Sequence, residues 1–338
     1  MNALEGLLAH LPEPDGEAQA AVRARADSVL RPPGALARFD EVAVWLAGWQ
    51  RTSRPSVGNV STVVFVADHG VAAAGVSAYP ADVTKAVLVA LDAGVATAAA
   101  MSRSLGGCMR AVDVGVGEPT GDIRVEAALT RQRFEACAEA GCAAVARAAS
   151  EGADLLVFGE MGIGNTTVAA AVCATLFGGD ASDWTGRGTG VDDDGLSRKV
   201  AAVEAAIMRV GGLGLAPLEV LREVGGAELV AIAAAVVEAR RRSIPVVLDG
   251  FVVGAAVASL HAARPGALDH CLAGHRSAEP GHGVLLERLG LDPLIDLELR
   301  LGEASGALVA VPIVRLAATA VTDVATFEEW EPRNGGLA

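Results

Sequence analysis

Six times along this chain an apolar, β-rich run stops at a polar or glycine-rich turn, and an alanine-rich segment follows. Thr62–Ala67 stops at Asp68-His69-Gly70, Met109–Val114 at Gly115–Glu118, and Asp154–Phe158 at the turn Gly159–Thr167. Pro245–Leu248 stops at Asp249-Gly250 and His270–Ala273 at Gly274–Ser277. The alternation of charge and leucine from Asp296 to Leu301 predicts a sixth strand, ending at Gly302. Strands that alternate with helical segments make βαβ units, so the expected fold class is α/β with a mostly parallel six-stranded sheet. The right-handed crossover then puts every one of those turns on one sheet edge, beyond the carboxyl ends of the strands, where open α/β sheets bind ligands.

Flanking segments set the expected domain plan. Residues 1–55 read as helices, Glu17–Leu30 and Gly34–Gln50, broken at Pro32-Pro33. Residues 56–315 form the large α/β domain, with a helical insert over about 180–243 that holds Leu196–Val210, Ala216–Val224 and Ala227–Arg240. Residues 316–338 supply a last helix and a polar tail, Glu328–Ala338, expected to be frayed.

Charge and cysteine usage narrow the partners. A formal net charge of -14 argues against nucleic acid or an anionic membrane, since both favour a basic face. An anionic small molecule remains open, because a few N–H groups and one lysine bind a phosphate inside an acidic protein. The five cysteines form no CxxC pair and read as reduced, buried thiols, which points to the cytoplasm. The N-terminus lacks the basic start of a signal peptide and no uninterrupted apolar run approaches bilayer length, so a soluble chain is expected.

Three turns carry candidate chemistry. Gly162-Ile163-Gly164-Asn165-Thr166-Thr167 follows a strand and opens a helix, where backbone N–H groups and the helix dipole either hold a phosphate or serve only as a cap. It has neither the third glycine of a dinucleotide fingerprint nor the lysine of a Walker loop. Gly186–Gly190 is a second possible anion nest, with Lys199 within reach in the next helix. Glu303 sits in the turn between the sixth strand and a buried alanine-rich helix; a solvated loop glutamate is the alternative there. Asp192-Asp193-Asp194 reads better as a helix start than as a Mg²⁺ site, since consecutive acids point in different directions. His69, His275 and His282 have no zinc spacing, and Ser305 lacks the flanking glycines of a nucleophile elbow, so no metal and no serine nucleophile are expected.

Taken together, the stretches Arg31–Leu36, Ala67–Val71, Ser77–Pro80 with Val83-Thr84, Gly159–Thr167, Gly186–Gly190 with Lys199, His275–His282 and Arg300–Glu303 resemble one family. It is the nicotinate-nucleotide:dimethylbenzimidazole phosphoribosyltransferase family of cobalamin lower-ligand synthesis, and the resemblance is collinear over nearly the whole chain. It implies transfer of the phosphoribosyl group of nicotinate mononucleotide to 5,6-dimethylbenzimidazole or a related azole, with inversion, giving α-ribazole 5′-phosphate and nicotinate. It further implies a Rossmann-like large domain, a small helical domain built from both chain ends, a homodimer and no cofactor.

By position, the resemblance makes Glu303 the catalytic base and Glu160 a second active-site acid. It puts Gly162, Gly164, Asn165, Thr166, Gly188 and Lys199 at the phosphoribosyl end, and Arg300, Leu301 and Gly302 on the approach to the base. The matched turns and strand ends add Asp68, His69, Tyr79, Ala81 and Asp249 to the expected substrate contacts. Two positions depart from many relatives: Ala81 replaces a glutamine, and Ala304 replaces a glycine after the catalytic glutamate. Two other classes compete with this reading: an ATP-dependent phosphotransferase that uses the glycine loops, and a non-catalytic azole-binding module.

Overall fold

The computed structural model describes residues 3–331. Its centre is a five-stranded, all-parallel sheet in the order β2-β1-β3-β4-β5, made by β1 (Val60–Ala67), β2 (Cys108–Gly115), β3 (Leu155–Met161), β4 (Val246–Leu248) and β5 (Cys271–Ala273). The predicted sixth strand is not part of it. Only Ile295–Asp296 (β7) is extended, and it pairs in parallel with His275–Arg276 (β6) as a separate two-stranded ladder. From Leu297 to Gly302 the chain runs irregularly; Glu298 has φ 54°, a left-handed conformation that no strand interior tolerates. The leucine alternation there marks no buried face, since Leu297 and Leu301 are exposed and Leu299 only half-buried.

Helices cover both faces. In chain order they are α1 (Ala3–Leu8), α2 (Gly16–Ala26), α3 (Ala37–Gln50), α4 (Val83–Asp92), α5 (Thr97–Ser104), α6 (Arg131–Ser150), α7 (Asn165–Phe177) and α8 (Ala181–Trp184). There follow α9 (Asp193–Val210), α10 (Pro217–Val224), α11 (Ala227–Arg241), α12 (Phe251–Ala263), α13 (Pro280–Leu289), α14 (Ser305–Thr322) and α15 (Phe327–Trp330). Strand alternation divides the core. Val63, Phe65, Leu156 and Phe158 point to the face covered by α6, α7, α11 and α12, whereas Val64, Val66, Leu155 and Val157 point to the face covered by α3 and α14. All-round hydrophobic strands follow from having both faces buried. α11, expected as the end of an insert, is a core helix, with every residue from Ala227 to Arg240 buried.

Both chain ends meet on the α14 side. Ala18, Val22 and Ala26 of α2 pack with Ala43, Val44 and Ala47 of α3 and with Val321 of α14. Arg25 donates to the carbonyls of Val321 and Val324, and Val29 bridges Thr326. α14 itself crosses the expected boundary at residue 315, because its N-terminal half lies on the sheet and its C-terminal half on α2 and α3. Of the tail predicted to fray, Glu328–Trp330 lie in the capped α15, and residues 332–338 fall outside those described. Two segments, Val83–Ser104 and Ser305–Thr322, are long and apolar enough to cross a bilayer by composition alone. The first is broken between α4 and α5, and the second is a largely buried core helix.

Strand order 2-1-3-4-5 has its switch point between β1 and β3. β2 is reached on one side of β1 and all later strands on the other, so the turns after β1 and β3 diverge and leave a crevice.

Candidate active site

That crevice is a cavity of about 580 Å³. β3 runs three residues past its last pairing with β4, which carries Glu160 into the cavity wall; the expected strand ended before it, at Phe158. The turn after β3 then brings Gly162, Gly164, Asn165 and Thr166 to the lining. Gly164 is left-handed, φ 97°, and sits immediately ahead of α7, so that the helix starts in the lining, with Asn165 and Thr166. Gly162 permits a close approach: a Cβ there would lie 2.7 Å from the carbonyl of Ala67 and 2.9 Å from Nε2 of His69.

Lys199 closes this end. It is 1% exposed, donates to Thr166 Oγ1 at 2.9 Å, and faces Gly188, whose absent Cβ would lie 3.2 Å from Nζ. Burial pushes its pKa down, opposed in part by the Glu279 carboxylate. A buried ammonium beside a helix N-terminus and a glycine loop is a site for an anion. Arg300 donates to the carbonyl of Gly188 and so ties the loop after β7 to the Gly186–Gly190 loop across the cavity mouth.

Three acids share the same lining. Glu160, Asp249 and Glu303 all line the cavity and are all buried. Glu303 and Ala304 are both left-handed, φ 59° and 68°, a conformation that costs side-chain-bearing residues about 1–3 kcal/mol. Surrounding contacts hold them in it. Glu303 N–H donates to Glu160 O at 3.0 Å, and a Cβ on Gly159 would lie 2.1 Å from the backbone nitrogen of Ala304. Glu303 Oε2 has no hydrogen-bond partner. Its pKa is raised, first by burial, with Asp249 adding to the rise and an N–H bond from Ala98 opposing it. Glu160 is pushed up to about 8 by burial and by the charges of Asp249, Glu228 and Glu303, although Asn165 Nδ2 donates to its carboxyl.

Several expected contacts lie elsewhere. Asp68 accepts from the backbone of Gly117, outside the cavity lining. His69 is fully buried under the Gly162 turn, with Nε2 2.7 Å from Glu228 Oε1, and supports the turn from behind. Ala81 is exposed, its carbonyl accepts from Thr84 N–H, and it does not reach the cavity, although Tyr79 and Val83 on either side do. The departure at Ala81 therefore removes no contact that the lining shows. Glu298, inside the run read as a strand, is part of the lining.

The sequence reading missed His275, Ser277 and Glu279, which enter the lining from the turn after β5. The signal was present, since that turn was already one of the six strand ends. Tyr79, an expected contact, lines an apolar slot whose other residues, Val76, Val83, Val87 and Met161, were missed, because they come from irregular chain, from α4 and from the end of β3. Among the described residues no group of three or more His, Cys, Asp or Glu side chains is arranged to hold a metal ion.

A doubly wound sheet with an anion end, an apolar slot and a carboxylate pair in one crevice defines an α/β enzyme that works on a small, partly anionic molecule. Comparison with known proteins gives its family: the model described as phosphoribosyltransferase matches residues 11–331, and the chain belongs to that family. It is 46% identical over 327 residues to the nicotinate-nucleotide–dimethylbenzimidazole phosphoribosyltransferase of Novosphingobium aromaticivorans, which spans 97% of this chain and 96% of that protein. A protein of the same name from Methylorubrum extorquens is 46% identical over 332 residues, with the same coverage. The crystal structure of the Thermus thermophilus enzyme of that name superposes with a TM-score of 0.87 at 42% identity, covering 93% of this chain and 98% of that one.

Proposed function

We propose that this enzyme transfers the phosphoribosyl group of nicotinate mononucleotide to 5,6-dimethylbenzimidazole, giving α-ribazole 5′-phosphate and nicotinate. Near-full-length identity of 46% to proteins of that name supports the reaction. The observation that carries the mechanism is Glu303, buried, with Oε2 unpartnered and its pKa raised, in the wall of a cavity that also holds an anion site.

In this reading Lys199, Thr166 and the N–H groups at the start of α7 hold the 5′-phosphate, and the slot of Val76, Tyr79, Val83, Val87 and Met161 holds the flat azole. The unprotonated azole nitrogen attacks C1′ of the ribose as the bond from C1′ to the pyridinium nitrogen breaks. The bonding pair returns to the pyridine ring, so nicotinate leaves without needing a proton from the enzyme. The azole becomes cationic as it bonds, and its remaining N–H gives its proton to the Glu303 carboxylate, which is general base catalysis. A base with a raised pKa accepts that proton more readily. Glu160 is neutral in the empty site near pH 7; a bound pyridinium or a developing oxocarbenium ion favours its ionised form, which then stabilises that positive charge.

Two further readings accompany this one. The α2–α3 pair with the end of α14 and α15 forms a small helical domain from both chain ends, supported by the shared apolar packing of α2, α3 and α14 and by the bonds from Arg25 to Glu329 and from Phe327 N–H to Ser28 O that tie α15 to them. Two copies pair as a homodimer, supported by the exposed apolar side chains Val89 and Val95 on and after α4. Five free cysteines, three of them buried, suit the reducing cytoplasm. Incubation with nicotinate mononucleotide and dimethylbenzimidazole, followed by chromatography, tests the reaction; no α-ribazole phosphate would refute it, and dependence on ATP would favour a phosphotransferase.

A further inference from the structure

Glu303 lies two residues ahead of α14, in a stretch that local preference disfavours, so something must fix the start of that helix. No side chain of its own does: Ala304 stands at the N-cap and makes no side-chain cap bond. The cap comes from another strand. Asp249, at the end of β4 and 2% exposed, accepts the N–H of Ala307 on Oδ1 at 2.9 Å. His275 Nε2 lies 3.4 Å from the same oxygen. The His275 ring also fills the space over Gly306, where a Cβ would come within 2.1 Å of its Cδ2. Asp249 and His275 thus grip the first turn of α14 from the ends of β4 and β5, while the Gly159 contact seats it on β3.

We propose that Asp249 is a positioning residue for the catalytic base: through Ala307 it fixes the first turn of α14, and so aims the Glu303 carboxylate into the cavity. The role rests on Glu303 being the base. It accounts for a buried carboxylate in the cavity wall that accepts from the backbone of α14 and lies beside the His275 ring. Its charge acts too. The titratable and charged groups that share the lining with Glu303 are Glu160 from β3, Asp249 and His275 from the strand ends, Glu298 and Arg300 from the loop before it, Tyr79, Arg187, and Lys199 with Glu279. Among these, the charge of Asp249 raises the affinity of Glu303 for a proton.

Four proteins test this: Glu303→Gln, Asp249→Ala, Asp249→Asn and the double variant Glu303→Gln with Asp249→Ala. Each is assayed for kcat against pH and for nicotinate mononucleotide binding by calorimetry, with thermal melts to confirm folding. Asp249→Ala should lower kcat about 10²-fold, the scale of a misplaced reacting group, with the nucleotide Kd changed less than threefold. Asp249→Asn keeps an oxygen for Ala307 N–H and should retain kcat within about tenfold of wild type, with its acidic limb moved to lower pH because the charge that raised the Glu303 pKa is gone. In the Glu303→Gln background Asp249→Ala should add less than threefold. The proposal is overturned if the two losses multiply in full, or if Asp249→Asn, folded, loses as much as Asp249→Ala with its limb unmoved. Near-native turnover of Glu303→Gln would instead overturn the base assignment, and this role with it.

Discussion

The backbone N–H of Glu303 donates to the backbone carbonyl of Glu160 at 3.0 Å. One hydrogen bond therefore joins the end of the central strand β3 to the turn before α14, and sets two carboxylates from residues 143 positions apart against one cavity. Glycine makes the approach possible. Gly302 has no Cβ, and one built there would lie 2.9 Å from Glu160 Oε1.

Glu160 makes stability depend on pH in an unusual direction. Its folded pKa, about 8, lies above the ordinary carboxyl value of 4.5, so the fold retains a proton that the unfolded chain loses. The stability it contributes is full below about pH 4.5 and is lost as pH rises through about 8. Glu160→Gln is neutral throughout and keeps an oxygen for Asn165 Nδ2. Its melting temperature relative to wild type should rise between pH 5 and pH 8.5, measured without substrate; a constant difference would mean that Glu160 is ionised in the empty site.

Phosphate recognition should depend on Lys199. Lys199→Ala removes the one buried ammonium at the anion end and should raise KM for nicotinate mononucleotide by about 10–100-fold, in keeping with about 1.5–3 kcal/mol for a charge-assisted hydrogen bond. KM for the azole should stay within about threefold by the same reasoning, since the apolar slot is untouched. Equal changes in both constants would place the lysine somewhere other than the phosphate.

Azole choice should be modest. The slot of Val76, Tyr79, Val83, Val87 and Met161 selects by shape, and a missing methyl group in such a slot is worth about 1–3 kcal/mol. Competition between benzimidazole and its dimethyl form should favour the latter by no more than about a few hundred-fold. A larger preference would require a polar contact to the ring beyond Glu303.

Most of the fold was legible because strand ends announce themselves. Five of the six apolar runs are the five strands of the sheet, and their turns converge as the parallel order requires. The sixth misled because its leucines do not bury one face: Leu297 and Leu301 are exposed, and the left-handed Glu298 breaks the extended run. Glu160, Lys199 and Glu303 could be read from motif and position. His69 and Ala81 could not be placed, because a residue in the chain after a strand faces the crevice, the core or solvent according to packing that a linear pattern does not contain. His69 has a buried partner, Glu228, 159 residues away. Glu279 went unassigned for a similar reason: its value comes from standing opposite Lys199, which belongs to a different helix.

The central claim is that Glu303 accepts the azole proton, and single-turnover kinetics of Glu303→Gln test it most directly. Rapid quench with saturating nicotinate mononucleotide and dimethylbenzimidazole isolates chemistry from product release, and Glu287→Gln, exposed on α13 and absent from the cavity lining, is the control. The variant should bind both substrates and form α-ribazole phosphate about 10²–10⁴-fold more slowly than wild type, while the control stays at the wild-type rate. A Glu303→Gln enzyme that matched wild type in the first turnover would contradict the claim and move the search for the base to Glu160.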